Sequence, residues 1–354
     1  MKVAIIAEGQ FAPTTAKTAI GILRYAPFPV VAVVDSTRAG KDAVECVGVG
    51  HGVPVVASVE EAMTLGADVL VIGTAAAGGR IPDTYRPSLE RALERGMQVW
   101  NGLHERVLAD PTLASAARRG GGTVRELREP PKDLPIGGHR RPREGATVVL
   151  TVGTDAAVGK MTASLELVRA LERAGERAAF VATGQTGIAI AGDGIAVDAV
   201  VADFIAGAAE LLVCDAAERA DWVIVEGQGS LTHPGFSGVT LGLLHGSAPH
   251  LMVLCHDASR MSVKGFEGEG LPLRDLPEYV RIYEEAAAWR RPPGSPRARV
   301  VAIALNTALA REELAKALIA EAADRTNLAV ADPIREGPAG ADRLAEALRA
   351  AVLA

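Results

Sequence analysis

The sequence predicts two α/β domains built on parallel sheets, one over residues 1–120 and one over 146–354, joined by a linker at 121–145. Three observations predict this. Short apolar runs of strand length alternate with helix-length stretches almost throughout, the rhythm of repeated βα units. The rhythm breaks at Gly120-Gly121-Gly122, Pro130-Pro131, Gly137-Gly138 and a basic group at Arg140, Arg141 and Arg143. It then restarts with an apolar strand, a small-residue loop and a Gly-Lys at a helix start. A chain of 354 residues with 49% apolar residues can fill two cores.

In the first half, strands are expected at 3–7, 30–35, 53–56, 68–73 and 97–101. Helix ends are legible between them. Ser58 with Glu61 fits a capping box. Gly96 stops the helix from Ser88, since glycine best tolerates a left-handed turn. Asp110 before Pro111 reads as an N-cap followed by a first-turn proline. The turn after the first strand, Glu8-Gly9-Gln10-Phe11-Ala12-Pro13, lacks G-x-G-x-x-G, and Asp35 stands where a ribose-binding acid would sit. This domain is Rossmann-like in layout without the dinucleotide fingerprint. In the second half, strands are expected at 147–152, 178–183, 222–226, 251–255 and 300–305, with helices at 160–174, from Asp275, and at 342–353.

Composition narrows the function classes. A net charge of -6 gives no basic excess to neutralise nucleic-acid phosphates or a membrane surface. Three scattered cysteines, Cys46, Cys214 and Cys255, make neither a disulfide framework nor a CxxC site. No apolar run approaches the ~20 residues of a spanning helix, and no charged leader precedes an apolar stretch. A cytoplasmic protein with a small-molecule substrate, working as a homo-oligomer, is expected.

The chemistry concentrates at Gly153-Thr154-Asp155-Ala156-Ala157-Val158-Gly159-Lys160-Met161-Thr162. Backbone N–H groups and the positive end of a helix can cradle phosphate oxygens here, while Lys160 reaches the outer ones. This is a P-loop with two departures from G-x-x-x-x-G-K-[ST]: Thr154 takes the first glycine position, and Met161 the usual Mg²⁺-ligand position. Thr162 follows one residue later. One step turns a helical side chain by ~100°, so Thr162 needs a local adjustment to meet a metal. Glu226 ends an apolar strand, where ligands gather in open α/β sheets. Thr183, Gln185, Thr186, Gln228 and His256 cluster at other strand ends beside glycines and are candidate substrate residues. Asn306, after the last strong strand, is a candidate for reading a nucleotide base, or else makes a local turn. The spacing of His233, His245, His250 and His256 fits no metal site.

At Gly153-Thr154-Asp155 and Val158-Gly159-Lys160 the loop resembles dethiobiotin synthetase and its relatives, and Val223–Gly227 looks like their second metal strand. That resemblance implies Mg²⁺ held by Asp155 and Glu226; together with the P-loop pattern it gives ATP in the loop, Thr162 as a further metal candidate, and Lys160, Asp155 and Glu226 as the expected catalytic set. From Gly52-Val53-Pro54 to Gly73 the first domain is similar to the CoA-binding domain of succinyl-CoA synthetase alpha subunits. Over nearly its whole length the chain resembles the D-glutamate N-acetyltransferase-like proteins. The P-loop with its Met161, Thr183–Gly187, Glu226–Ser230 and Asn101-Gly102-Leu103-His104 carry that likeness. Three functions compete on these grounds. In the first, an ATP- and Mg²⁺-using enzyme of ligase or kinase type activates a small acidic amino acid or related carboxylate. In the second, an enzyme transfers an acyl group from acetyl-CoA to such an amine. In the third, the protein is a nucleotide-switched binding module.

Overall fold

The computed structural model describes residues 1–75, 77–292 and 294–353. The chain divides into two compact units, 1–129 with 185–196, and 130–184 with 197–354.

The first unit runs β1 (Val3–Ile6), α1 (Lys17–Tyr25), β2 (Val30–Val34), α2 (Ala43–Val47), β3 (Val55–Val56), α3 (Val59–Thr64), β4 (Val69–Ile72), α4 (Arg86–Glu94), β5 (Gln98–Asn101), α5 (Pro111–Gly120) and β6 (Thr123–Glu126). Its six strands pair in parallel in the order β3-β2-β1-β4-β5-β6, the doubly wound arrangement of Rossmann folds. The helix ends follow their sequence signals. Ser58 Oγ accepts from Glu61 N at 3.2 Å, and in return the Glu61 carboxylate accepts from Ala57 N at 3.2 Å and from Ser58 Oγ at 3.4 Å. Asp110 accepts from Thr112 N at 2.8 Å and caps α5. Gly96 takes φ +78°, the left-handed stop its position demanded.

Within this unit, two features differ from the sequence reading. Residues 123–126, expected in the linker, form the edge strand β6 against β5. Only Val124 of Thr-Val-Arg-Glu is apolar, because an edge strand buries little, so the segment did not read as a strand. The helix Gln185–Ala191, α7 in chain order, packs against α1 in this first unit, with Thr186 Oγ1 3.0 Å from Thr18 Oγ1.

The second unit runs β7 (Thr147–Gly153), α6 (Lys160–Arg173), β8 (Ala178–Val181), α8 (Ala202–Ala217), β9 (Trp222–Val225), α9 (Ser237–Ser247), β10 (Leu251–Asp257), α10 (Leu276–Ala288), β11 (Arg299–Asn306), α11 (Glu312–Thr326), β12 (Ala329–Ala331) and α12 (Pro338–Leu353). Its sheet is also parallel, in the order β12-β11-β10-β7-β9-β8. β7 lies between β10 and β9, so the ends of all three strands converge beside the loop that follows β7. Val149, Leu167, Leu171, Ile224, Val253 and Leu344 fill the core on one face.

Leu89, on α4, is fully buried among Leu70, Ile72, Leu93 and Val99. Leu89→Ala is expected to cost the first unit about 2–5 kcal/mol through the cavity it leaves. Faster hydrogen exchange in β1, β4 and β5 reads this out, and unchanged protection there would contradict the packing described.

Candidate functional site

The loop after β7 is built to hold an anion. Backbone at Ala157 (φ +57°) and Gly159 (φ +104°) is left-handed on either side of Val158, an alternation that turns successive amides toward one concavity. Gly159 is the N-cap of α6, and among the described residues no side chain caps this helix. Its first-turn N–H groups lack intrahelical partners, so they are left for a ligand, unlike those of α5.

Lys160 is buried and its Nζ donates to Asp155 O at 2.8 Å. Two glycines make room for it. A Cβ on Gly153 would stand 2.8 Å from Lys160 Nζ, and one on Gly227 would stand 2.9 Å from Lys160 Cδ and 1.7 Å from Thr151 O. Gly227 N also donates to Thr151 Oγ1 at 2.9 Å, which ties the end of β9 to β7. Burial pushes the Lys160 ammonium down to about 8, against the opposing pull of nearby groups that include Asp155 and Glu226. A phosphate would restore what desolvation removes.

Glu226 is buried and pushed up to about 7 by that burial, even though two amides favour its charged form. Its Oε2 accepts from Thr183 N at 3.0 Å and Gly184 N at 3.2 Å. Thr183 Oγ1 donates to Glu226 O at 2.6 Å and accepts from Gln228 Nε2 at 3.1 Å. Glu226, Thr183 and Gln228 therefore meet at one corner of the site. His256 joins at the opposite side, its Nδ1 2.9 Å from Thr154 Oγ1, and burial pushes it down to about 4, so it is a neutral imidazole.

Asp155 does not sit as a metal ligand would. Its Oδ1 accepts from Ala156 N at 2.7 Å, and its Oδ2 accepts from Arg260 Nη1 and Lys264 N, both at 2.8 Å. Both carboxylate oxygens therefore already have protein partners, with acceptor capacity left on Oδ1. Of the expected Mg²⁺ set of Asp155, Thr162 and Glu226, Glu226 Oε2 is also engaged, and among the described residues no hydrogen bond engages Glu226 Oε1 or the half-buried Thr162 hydroxyl. Among the described residues, no group of three or more His, Cys, Asp and Glu is placed to hold a metal. The expected set does not fit the ion as arranged, and no step is routed through a metal below. Asn306 makes the local turn, its Oδ1 accepting from Ala308 N at 3.0 Å. Met161 is half-buried on the first turn of α6, beside Thr162.

Gln185 and Thr186 fall in the first unit. Gln185 Oε1 accepts from Arg128 Nη2 at 2.8 Å, and Thr186 pairs with Thr18. Of the residues that brace the loop, sequence reasoning missed Arg260 and Tyr283 and took Ser230 only as part of the Glu226–Ser230 segment. Arg260 reaches Asp155 Oδ2 and Ala156 O, Tyr283 Oη donates to Gly153 O at 2.7 Å, and Ser230 Oγ donates to Thr154 O at 3.2 Å. Arg260 and Ser230 lie just past the ends of β10 and β9, a signal that becomes informative once β10 and β9 are known to flank β7, whereas Tyr283 sits within α10 and carries no such signal.

Comparison with known proteins agrees with this architecture. Residues 36–130 match the Rossmann-like N-terminal domain, and residues 135–345 the P-loop C-terminal domain, of the DUF1611 domain of unknown function. The chain belongs to the DUF1611 family. A crystal structure of a DUF1611 family protein from Anabaena variabilis is similar over 98% of this chain and 99% of its own, at 41% identity and a TM-score of 0.88. A protein of Tritonibacter scottomollicae named D-glutamate N-acetyltransferase is 40% identical over 83% of this chain and 84% of its own. Another of that name, from a Pseudoalteromonas species, is 38% identical over 79% and 82%. Among the described residues no helix is long and apolar enough to cross a membrane.

If Asp155 latches the segment around Arg260 and Lys264, then Asp155→Ala should raise tryptic cleavage after those two residues several-fold, while Thr162→Val should not. Equal cleavage rates in Asp155→Ala and the parent chain would contradict the latch.

Proposed function

We propose that this chain is an enzyme that transfers an acetyl group from the thioester of acetyl-CoA to the amine of D-glutamate or a similar small acidic amino acid, with the P-loop gripping phosphates of the donor. The observation that carries the reading is the pair of relatives named D-glutamate N-acetyltransferase, alike over about four-fifths of both chains. The site supports it. An amide-lined loop with a buried lysine suits the diphosphate of CoA as well as that of a nucleotide. The ligase-type reading rests on the loop alone and on carboxylates that are largely committed to protein partners.

The reaction balances without a nucleotide. The amine, freed of one proton, attacks the thioester carbonyl carbon. A C–N bond forms, the C–S bond breaks, and the thiolate takes up the second proton, giving the N-acetyl amino acid and CoA. Remote binding of the phosphates would hold the thioester in place while the chemistry proceeds at the other end of the donor.

The two shifted groups set a pH dependence for donor binding. Phosphate is best held with Lys160 charged and Glu226 neutral, a combination present below about 7. Above that, Glu226 ionises beside the anion, and through about 8 Lys160 loses its proton. Affinity for CoA should therefore fall as pH rises through this window, by roughly tenfold per pH unit once a group has titrated. Lys160→Ala should weaken CoA binding by about 10- to 100-fold and flatten the upper part of the profile.

The deciding assay pairs thiol release from acetyl-CoA with ADP release from ATP, using D-glutamate as acceptor. Thiol release that needs no ATP is expected. ADP formation coupled to product, with acetyl-CoA dispensable, would overturn the proposal in favour of the ligase-type enzyme. Ligand binding without turnover of either would favour the switch protein.

A further inference from the structure

The first unit contains a cavity of about 300 Å³ that the P-loop chemistry does not use. It lies at the carboxyl ends of β4 and β5 and is lined by Ala75, Gly78, Gly79, Gly102, Leu103, His104, Arg128 and Gln185. In open α/β sheets this edge is where ligands collect.

The walls are built rather than incidental. Asn101, at the end of β5, is buried; its Oδ1 accepts from Leu103 N at 3.0 Å and its Nδ2 donates to Glu105 O at 2.7 Å. That fixes the turn which presents His104. The facing loop is stitched to the same turn, because Glu105 N donates to Gly79 O at 2.9 Å and Ile81 N to Glu105 Oε2 at 2.8 Å. Two glycines admit the side chains that line the space. A Cβ on Gly79 would stand 2.3 Å from His104 Cδ2, and one on Gly102 would stand 2.8 Å from Gln185 Cγ. Arg128 is oriented by Nε to Gly102 O at 2.7 Å and by Nη2 to Gln185 Oε1 at 2.8 Å. His104 is exposed, and among the described residues no hydrogen bond engages its imidazole.

The lining states the ligand's chemistry. Among the described residues it holds one guanidinium, one imidazole, one amide and no carboxylate, so it suits an anion with further polar groups. Its volume lies at the bottom of the ~300–1,000 Å³ range of small-molecule sites, which suits a compound of amino-acid size. We propose that this cavity is a second binding site, for a small carboxylate of amino-acid size, with Arg128 and His104 facing the carboxylate and Gln185 orienting it. The inference does not rest on what the P-loop carries. It gives the Asn101-Gly102-Leu103-His104 segment and Gln185 a shared purpose.

Titration calorimetry on the full chain tests this, with D-glutamate, L-glutamate and succinate as separate probes. At least one should bind, about tenfold or more weakly in Arg128→Gln and several-fold more weakly in His104→Ala, while Lys160→Ala leaves its affinity within about twofold. His104 is exposed, so its replacement tests the site even if Arg128→Gln disturbs folding. A preference for one glutamate enantiomer marks an amino-acid site, and equal binding of all three a general dicarboxylate site; both support the proposal. No binding by any probe, unchanged affinity in His104→Ala, or equal loss in Lys160→Ala would overturn it.

Discussion

Burying an ammonium group costs several kcal/mol unless something compensates, and the second unit is arranged around that expense at Lys160. The lysine lies inside the loop with its Nζ on a single backbone carbonyl, that of Asp155. Gly153 and Gly227 are required for it to fit, and Thr151 receives the amide of Gly227 so that β9 ends against the loop. Glu226 supplies opposing charge from the same strand end, at the cost of its own desolvation. The result is a lysine underpaid in counter-charge when the loop is empty, which is the condition for taking up an anion strongly.

The bracing around this centre serves the same end. Left-handed residues at Ala157 and Gly159 bend the backbone into its cradle, and such backbone persists only where neighbours determine it. Tyr283, Ser230, Arg260 and the Asp155 carboxylate provide that determination through bonds to Gly153, Thr154, Ala156 and Lys264. Asp155, which resemblance expects at a metal, here ties the loop to the segment of Arg260 and Lys264. Its partner Arg260 brings a second positive charge to the mouth of the loop.

Much of this was legible in the sequence because it depends on local pattern. The strand-loop-helix order around Lys160, the stop at Gly96 and the cap at Asp110 are each decided within a few residues. Glu226, Thr183, Gln228 and His256 were found because strand ends in a parallel sheet share one edge, and they do gather around the loop. What sequence could not supply was long-range pairing. Nothing local says that Arg260 spends itself on Asp155, or that Gln185 and Thr186 belong with Arg128 and Thr18 in the first unit. Edge strand β6 escaped for a different reason: with little to bury, it carries little apolar pattern.

The central claim is that Lys160 is held short of charge stabilisation until a phosphate arrives. Isotope-edited NMR of lysine side chains, with Lys160 assigned by comparison with Lys160→Met, follows its titration directly. The account predicts a midpoint near 8 in the free protein. It also predicts that the midpoint moves clearly upward when CoA is bound, because a phosphate at Nζ favours the charged form. An ordinary lysine midpoint in the free protein, or one unmoved by CoA, would contradict it.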